Sequence, residues 1–362
     1  TMEQLYSLGV SCIEFLQDWF QDYDGFFHLI NDIANPHHMT EIVFPLLSVF
    51  DSVFAAQFIL CTAFGGWLNA VMKWWLLEDR PYWWVRESSY YGDRRPRLRQ
   101  TSQTCETGPG SPSGHNAAMA ASLALMYMFL AHVVHDRKWK LPLWINKLLY
   151  PTFGVCLGSV MLARMYVAAH FPHQCVMGAL VGLFLAPALC IYVTDPFIWK
   201  YGFHTTYPTS KAVKWHIFSA VMTVAIATVT YLSLKLCNID PMFTIKLAFR
   251  WCENPENIHV STTPMYALVQ CTGYLLGWAI SVTPAVAQYR HNTKNRSLLI
   301  SIFTTSIIMY IYKQIDANLC RSNTFTFYLS QYIMFCLKPM LFLRIVPALS
   351  MWPFGEVKGK IE

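Results

Sequence analysis

Three stretches of this sequence gather residue types suited to chemistry on a phosphate group. They are Lys73-Trp-Trp-Leu-Leu-Glu-Asp-Arg80-Pro81, Cys105-Glu-Thr-Gly-Pro-Gly-Ser-Pro-Ser113-Gly114-His115 and Arg164-Met-Tyr-Val-Ala-Ala-His170-Phe-Pro-His-Gln174. Lys73, Arg80 and Arg164 supply three cations, two of them forked donors that match phosphate oxygens. The Gly- and Pro-rich run ends in Ser113-Gly114 where a helix should begin, and free N–H groups there favour an anion. His115 and His170 remain. One imidazole can attack phosphorus while the other protonates the leaving oxygen, which splits a hard hydrolysis into two easier steps. Nearby cations would depress the pKa of an attacking histidine and keep a ring nitrogen unprotonated. Each part has a plainer use as well. Cations near helix ends snorkel to lipid headgroups, and Gly-Pro-Gly or Ser-Pro-Ser-Gly marks a turn. The three stretches therefore carry weight only as a set.

The elements that must bring them together are read from composition. Of 362 residues, 54% are hydrophobic and only 13% charged, against about 25% charged in a soluble domain. The mean hydropathy is +0.32. A disordered chain, an acidic tail protein and most soluble enzymes are excluded, and no nucleic-acid partner is expected. Long apolar runs instead predict an all-α, polytopic membrane bundle, a single domain over 1–362 with a short cytosolic tail from 351. About nine spans of roughly 20 residues are expected, near 26–49, 55–77, 114–134, 145–166, 174–194, 213–235, 264–287, 297–315 and 325–350. The first is interrupted by Asp32, Asn35, Pro36, His37 and His38, which is tolerated only against protein or a wet cavity. The last contains Lys338 and Arg344, placed there either for function or for a structural ion pair. With nine spans, all three chemical stretches fall at one membrane face.

Orientation is harder to read. The start, Thr1–Asp24, holds five acids and no Lys or Arg, so the first span is expected to act as an uncleaved signal anchor. Lys and Arg are spread over both faces, and positive-inside counting does not decide. Six arginines lie between Arg80 and Arg99; Arg94, Arg95, Arg97 and Arg99 are either a solvated basic loop or recruited to the site. The end, Lys358-Gly-Lys360-Ile-Glu362, resembles the dilysine signal of endoplasmic-reticulum membrane proteins, which works only in the cytosol. With nine spans this puts the N-terminus in the lumen, the C-terminus in the cytosol, and the three stretches on the lumenal side. The sequon Asn295-Arg296-Ser297 then faces the cytosol and is expected to be unglycosylated. Eleven cysteines with no CxxC read mostly as buried thiols. Cys105 and Cys252 lie in connecting segments and are free to pair if both face an oxidising lumen. There is no HExxH, and His170 with His173 makes no metal site.

Lys73-x6-Arg80-Pro81, Pro112-Ser-Gly-His115 and Arg164-x5-His170 resemble the three-part signature of the type 2 phosphatidic acid phosphatase superfamily. Longer strings narrow the likeness. Arg80-Pro-Tyr-Trp-Trp-Val85, Cys105 to His115, Ala169-His-Phe-Pro-His-Gln174, Arg250-Trp-Cys-Glu253 and Thr262-Thr-Pro264 are similar to the glucose-6-phosphatase catalytic-subunit family, and the likeness runs along the chain. It implies a hydrolase of glucose metabolism and gluconeogenesis, a multi-pass protein of the endoplasmic-reticulum membrane that acts on glucose 6-phosphate in the lumen. It implies His170 as nucleophile, forming a phosphohistidine, and His115 as general acid and then base. Lys73, Arg80, Ser113, Gly114 and Arg164 would hold the phosphate. No metal or cofactor is implied. The partners implied are glucose 6-phosphate, a transporter that delivers it, and membrane lipids.

Two departures bear on the site. The superfamily usually has Ser before the third-stretch Arg, where this chain has Ala163. It also has an acid four residues after the nucleophilic His, to orient the ring, where this chain has Gln174. Glucose-6-phosphatases share the Gln, which leaves open what orients His170. Asn35 stands where vertebrate members have Asp. A lipid phosphate phosphatase is the same-fold alternative, disfavoured by Gln174, by the segment from Arg250 to Pro264 and by nine spans rather than six. A weakly active or non-catalytic membrane paralogue is the other. Sugar recognition is not assigned by any motif; Trp83, Trp84, Tyr90, Tyr91 and Glu106 border the site in sequence.

Overall fold

Apolar runs whose charges sit at their ends fold as helices, because in lipid each backbone N–H and C=O must be satisfied within its own segment. The computed structural model describes residues 1–136, 143–194, 210–282 and 296–351. Among the described residues every regular element is helical and there is no strand. Fourteen helices concern us. Early in the chain come α1 (Met2–Trp19), α2 (Asp24–Ile33), α3 (Phe44–Phe50), α4 (Ser52–Leu76) and α5 (Pro81–Glu87). Then follow α6 (Gly114–Asp136), α7 (Leu143–Tyr166), α8 (Pro172–Leu189), α9 (Ser210–Leu236), α10 (Phe243–Trp251) and α11 (Pro264–Ser281). The last are α12 (Leu298–Ala317), α13 (Thr324–Met340) and α14 (Val346–Met351).

Six segments among the described residues are long and apolar enough to cross a membrane: Ser52–Glu87, Lys147–Tyr166, Pro172–Thr194, Val213–Leu236, Leu298–Ala317 and Thr324–Met351. That is fewer than the nine expected. The run near 26–49 is not one helix. It breaks into α2, a helical turn at Pro36–His38, a wide turn at Met39–Val43 and α3, because Pro36 lacks the N–H that would extend α2. The run near 114–134 is helical as α6, and the described part of the run near 264–287 is helical as α11. The dilysine pair Lys358 and Lys360, the tail beyond Met351 and the sequon asparagine Asn295 lie outside the described residues. Outward side chains such as Phe184, Leu236, Leu299 and Phe303 are exposed on their helices, the surface that lipid rather than water would cover.

The chain forms two compact units, the first comprising Thr1–His38, Gly65–Ala186 and Ala225–Leu268. In it, Tyr6, Val10 and Ile13 of α1 pack with Tyr82, Trp83, Trp84 and Val85 of α5 and with Phe171. Tyr6 stacks on Phe171 with ring centroids 4.5 Å apart. Gln17 Nε2 donates to the carbonyls of Arg99 and Tyr166 (2.9 and 2.7 Å) while its Oε1 accepts from Arg99 N. Arg99 forks onto Asp24, both bonds at 2.9 Å, and Arg95 donates to the carbonyl of Arg86. Those two arginines of the basic loop are thus spent on the scaffold. A disulfide joins Cys105 to Cys252 across 147 residues of sequence; of the two readings open for this pair, pairing is the one the structure takes.

The second unit comprises Met39–Phe64, Pro187–Val224 and Val269–Glu362. Here Lys338 pairs with Glu41, which also accepts from Tyr274 OH at 2.6 Å. Its intramembrane charge is therefore a structural ion pair. Arg296 donates to Ser48 O, Ser301 Oγ and Ser350 Oγ at 2.6, 2.8 and 3.0 Å, tying α3, α12 and α14.

Close helix approach in the first unit depends on two small residues one turn apart. A Cβ on Gly178 of α8 would lie 2.3 Å from the carbonyl oxygen of Ser113, and one on Gly182 would lie 2.2 Å from that of Ala117. This small-xxx-small face lets α8 lie directly on the start of α6. Gly154 of α7, by contrast, faces nothing within 4 Å. Overpacking a close contact costs about 1–3 kcal/mol. Gly178→Leu is expected to lower the melting temperature of the detergent-solubilised protein by several degrees, while Gly154→Leu leaves it within a degree or so.

Candidate active site

Two helices each deliver a cation to the first unit, and both stop in the same unusual way. α4 carries Lys73 and is followed by Leu77; α7 carries Arg164 and is followed shortly by Ala168. Both Leu77 and Ala168 have φ of +52°, the left-handed region that costs a non-glycine residue about 1–2 kcal/mol. The sharp exits turn the chain back over the helix ends. After Ala168, the N–H groups of Ala169 and His170 both reach the carbonyl of Arg164, at 3.2 and 3.4 Å. After Leu77, the chain runs through Glu78 and Asp79 to Arg80.

Arg80 is 1% exposed, and its donors fold the Gly- and Pro-rich loop around it. Nε donates to Gly108 O (2.6 Å), Nη2 to Pro109 O (3.2 Å) and Nη1 to Ala169 O (3.0 Å). Lys73 Nζ donates to the same Pro109 carbonyl at 2.6 Å. Asn69, one turn earlier on α4, donates to Pro112 O at 3.0 Å. Carbonyls thus share the burial cost of two cations, as a loop without regular secondary structure can do.

His170 is fully buried. Its Nδ1 lies 2.8 Å from Gly110 O, and a carbonyl only accepts, so Nδ1 carries the proton. Nε2 then bears the lone pair, 3.2 Å from Arg80 Nη1. Burial first, then the Arg80 charge, hold His170 well below the ordinary imidazole range. This answers what orients the ring where an acid is absent: a backbone carbonyl. Gln174 acts one step back. Its Nε2 donates to Glu78 Oε2 (3.0 Å) and Asp79 O (2.8 Å), and its Oε1 accepts from Phe171 N (3.1 Å). Gly110 N donates to Glu78 O at 2.7 Å. A Cβ on Gly110 would come within 2.3 Å of Asp79 O and 2.5 Å of Gln174 Nε2. Only glycine lets the loop come close enough to present that carbonyl.

At the centre stands Glu106. Oε2 accepts from Arg80 Nη1 at 2.8 Å and Oε1 from Arg164 Nη2 at 2.5 Å. The same carboxylate lies 3.6 Å from His170 Nε2 and 3.8 Å from His115 Nδ1. Burial alone would raise its pKa, but the Arg164 and Arg80 charges outweigh that and hold it well below the usual carboxylate range.

Of the seven residues expected at the site, Arg80, Arg164, His115 and His170 meet around this one carboxylate, and Lys73 joins them through the Pro109 carbonyl. Ser113 and Gly114 are placed differently. Ser113 N donates to Gln174 O (3.0 Å) and its Oγ accepts from Asn116 (3.0 Å). Gly114 opens α6 beside Asn69. These two build the helix start whose first-turn N–H groups have no intrahelical partner. Asn35 spends its carbonyl oxygen on His37 N. Trp83 and Trp84 lie in the apolar cluster with α1, and Tyr91 OH meets Ser7. Sequence reasoning missed Asn31. It is 2% exposed on α2, accepts from Arg164 Nη1 at 3.4 Å, and donates to the carbonyl of Ala163 at 3.5 Å. A buried amide in an amphipathic helix was the available signal. Arg164 Nε is buried with no partner among the described residues.

Comparison with known proteins matches residues 54–198 to the PAP2 superfamily. Glucose-6-phosphatase 2 of Homo sapiens is 34% identical over 78% of this chain and 77% of its own length. Glucose-6-phosphatase catalytic subunit 1 of Canis lupus familiaris is 32% identical over 82% and 79%. The Bos taurus catalytic subunit 1 is 28% identical over 99% and 98%. No solved structure matches the chain significantly.

The position of Gln174 makes a counter-intuitive expectation. Gln174→Glu is nearly isosteric and supplies an acid near the ring. It would nevertheless replace the donor facing Glu78 and Asp79 O by an acceptor, leaving buried groups unsatisfied at about 1–3 kcal/mol or more. Thermal melts should show Gln174→Glu less stable than the unaltered protein by at least that amount, with phosphatase activity reduced rather than improved.

Proposed function

The chain belongs to the glucose-6-phosphatase family of PAP2-type phosphatases and is a phosphoric monoester hydrolase, and we propose that it hydrolyses glucose 6-phosphate through a phosphohistidine on His170. The observation that carries this is the convergence of Arg80, Arg164, His115 and His170 on one anionic point. Groups that hold a carboxylate there can hold phosphate oxygens. His170 Nε2, left unprotonated because the ring proton sits on Nδ1 facing Gly110 O, turns its lone pair from Arg80 Nη1 to phosphorus and attacks in line with the ester oxygen. The P–O bond breaks with its electron pair on oxygen, and His115, whose pKa burial and the Arg164 charge push down to about 3 and a phosphate dianion beside it raises again, gives that oxygen a proton. His115 then takes a proton from water, whose oxygen attacks phosphorus and breaks the P–N bond. Arg80, Arg164 and Lys73 neutralise charge on the transferring group throughout, and the first turn of α6, from Gly114 on, adds N–H donors while Ser113 holds the helix start to Gln174 O. Preorganised donors of this kind are worth roughly 3–4 kcal/mol each in a dry site.

The site faces the lumen of the endoplasmic reticulum in this reading. The Cys105–Cys252 disulfide beside Glu106 supports it, since such bonds persist in oxidising compartments. The whole chain then acts as one membrane phosphatase domain of about nine spans, with the tail in the cytosol and a glucose-6-phosphate transporter as its functional partner. The similarity of the catalytic-subunit relatives over most of the chain supports the sugar-phosphate branch; the number of spans does not enter.

The direct test is phosphate release by purified protein from glucose 6-phosphate, mannose 6-phosphate and a soluble phosphatidic acid, with His170→Ala as blank. Sugar-phosphate turnover lost in the blank supports the proposal; turnover of the lipid alone, or of nothing by folded protein, refutes it. His115→Ala should slow both formation and breakdown of the phosphoenzyme. The pH dependence has a definite sign. Because His170 is pushed down, it stays a neutral nucleophile below the ordinary imidazole pKa. The acid limb of kcat/KM, corrected for the substrate's own ionisation near pH 6, should therefore lie below about pH 6.5.

A further inference from the structure

Glu106 has no part in the steps above, yet it sits where they happen. Its two oxygens hold the guanidinium groups of Arg80 and Arg164 and face both histidines. Arg80's other bonds run to carbonyls and to His170, and Arg164's to Asn31. Glu106 is thus the carboxylate that neutralises both buried arginines. Its backbone is pinned on each side. Cys105 is disulfide-bonded to Cys252, Glu106 O accepts from Tyr82 OH at 2.8 Å, and Thr107 Oγ1 meets Thr262 Oγ1 at 3.1 Å. The side chain, 18% exposed, is the part left to move.

We propose that Glu106 is a built-in competitor of phosphate: its carboxylate and the phosphate oxygens take turns on Arg80 and Arg164, so that it weakens phosphate retention and speeds product release. The reasoning is electrostatic and geometric. A phosphate dianion between His170 and His115 needs the same N–H groups that the carboxylate holds, and two anions cannot share them closely. With the backbone fixed, the displaced carboxylate stays near and returns when phosphate leaves. Three buried cations without it would hold inorganic phosphate, the last product, too firmly for turnover. This rests on the reading of the site as a phosphate site, and the test separates the two.

The test is binding of inorganic phosphate to the purified protein, read as a thermal shift with phosphate concentration, independent of turnover. Glu106→Gln keeps the size and removes the charge. It should bind phosphate about tenfold more tightly or better, with a matching fall in the phosphate inhibition constant and a lower kcat. A merely structural Glu106 predicts the opposite sign, because loosened arginines bind phosphate more weakly. Unchanged or weaker binding by Glu106→Gln, with Arg164→Ala weaker still, overturns the competitor and leaves the phosphate site standing. No phosphate binding by the unaltered protein, Glu106→Gln or Arg164→Ala overturns both. Should Glu106→Gln fail to fold, Glu106→Asp serves: one methylene shorter, it reaches the arginines less well and is expected to bind phosphate several-fold more tightly, equal or weaker binding again overturning the proposal.

Discussion

A guanidinium taken out of water needs partners for its donors, and the surroundings of Arg80 are shaped by that need. The loop from Glu106 to Gly110 turns its carbonyls and one carboxylate inward onto Arg80 and Lys73. Ala169 supplies a further carbonyl from the turn after α7. An irregular segment with prolines at 109 and 112 can aim successive carbonyls at one point, which neither a helix nor a strand does. The cost of burying charge is therefore what gives the loop its shape, and the loop in turn presents the Gly110 carbonyl to His170.

That chain of dependence accounts for the departure at position 174. An acid contacting the ring directly would stabilise a charged imidazole. Here the ring is steered by a neutral carbonyl, and Gln174 steadies the loop that carries it by bridging Glu78, Asp79 and Phe171. The negative charge sits on the other ring nitrogen's side, on Glu106. Charge compensation and ring orientation, combined in one acid elsewhere in the superfamily, are divided here between two groups. Beside Ala163, Asn31 donates to the Ala163 carbonyl and accepts from one arm of Arg164.

The second unit shows the same rule in a plainer setting. Lys338 and Glu41 bury opposite charges against each other with Tyr274 as a further donor, and Arg296 satisfies itself on serines. Intramembrane charge alone does not separate a catalytic site from a structural brace. What distinguishes the first unit is that several cations and two histidines share one carboxylate.

Much of this was legible from the residues alone. Low charge and long apolar runs dictate helices that cross a membrane, because no other open backbone survives in lipid. The three stretches are short, and within each the spacing of Lys73 to Arg80 or Arg164 to His170 is settled by a few turns of chain. What only the tertiary structure decided lies between stretches. Cys105 and Cys252 are 147 residues apart; their place in connecting segments leaves them free to pair, but nothing local says that the two meet. Glu106 and Arg164 are 58 apart, and Glu106 in sequence reads as one bordering acid among several polar and aromatic neighbours. Gly110 looks like any turn glycine, since a carbonyl's direction leaves no mark on residue type. The break at Pro36 was visible, but how the chain continues past it was not. Sequence sets what a segment can do over one or two turns; which distant groups share a buried charge is fixed only when packing brings them within a few ångströms, where electrostatic energy becomes large.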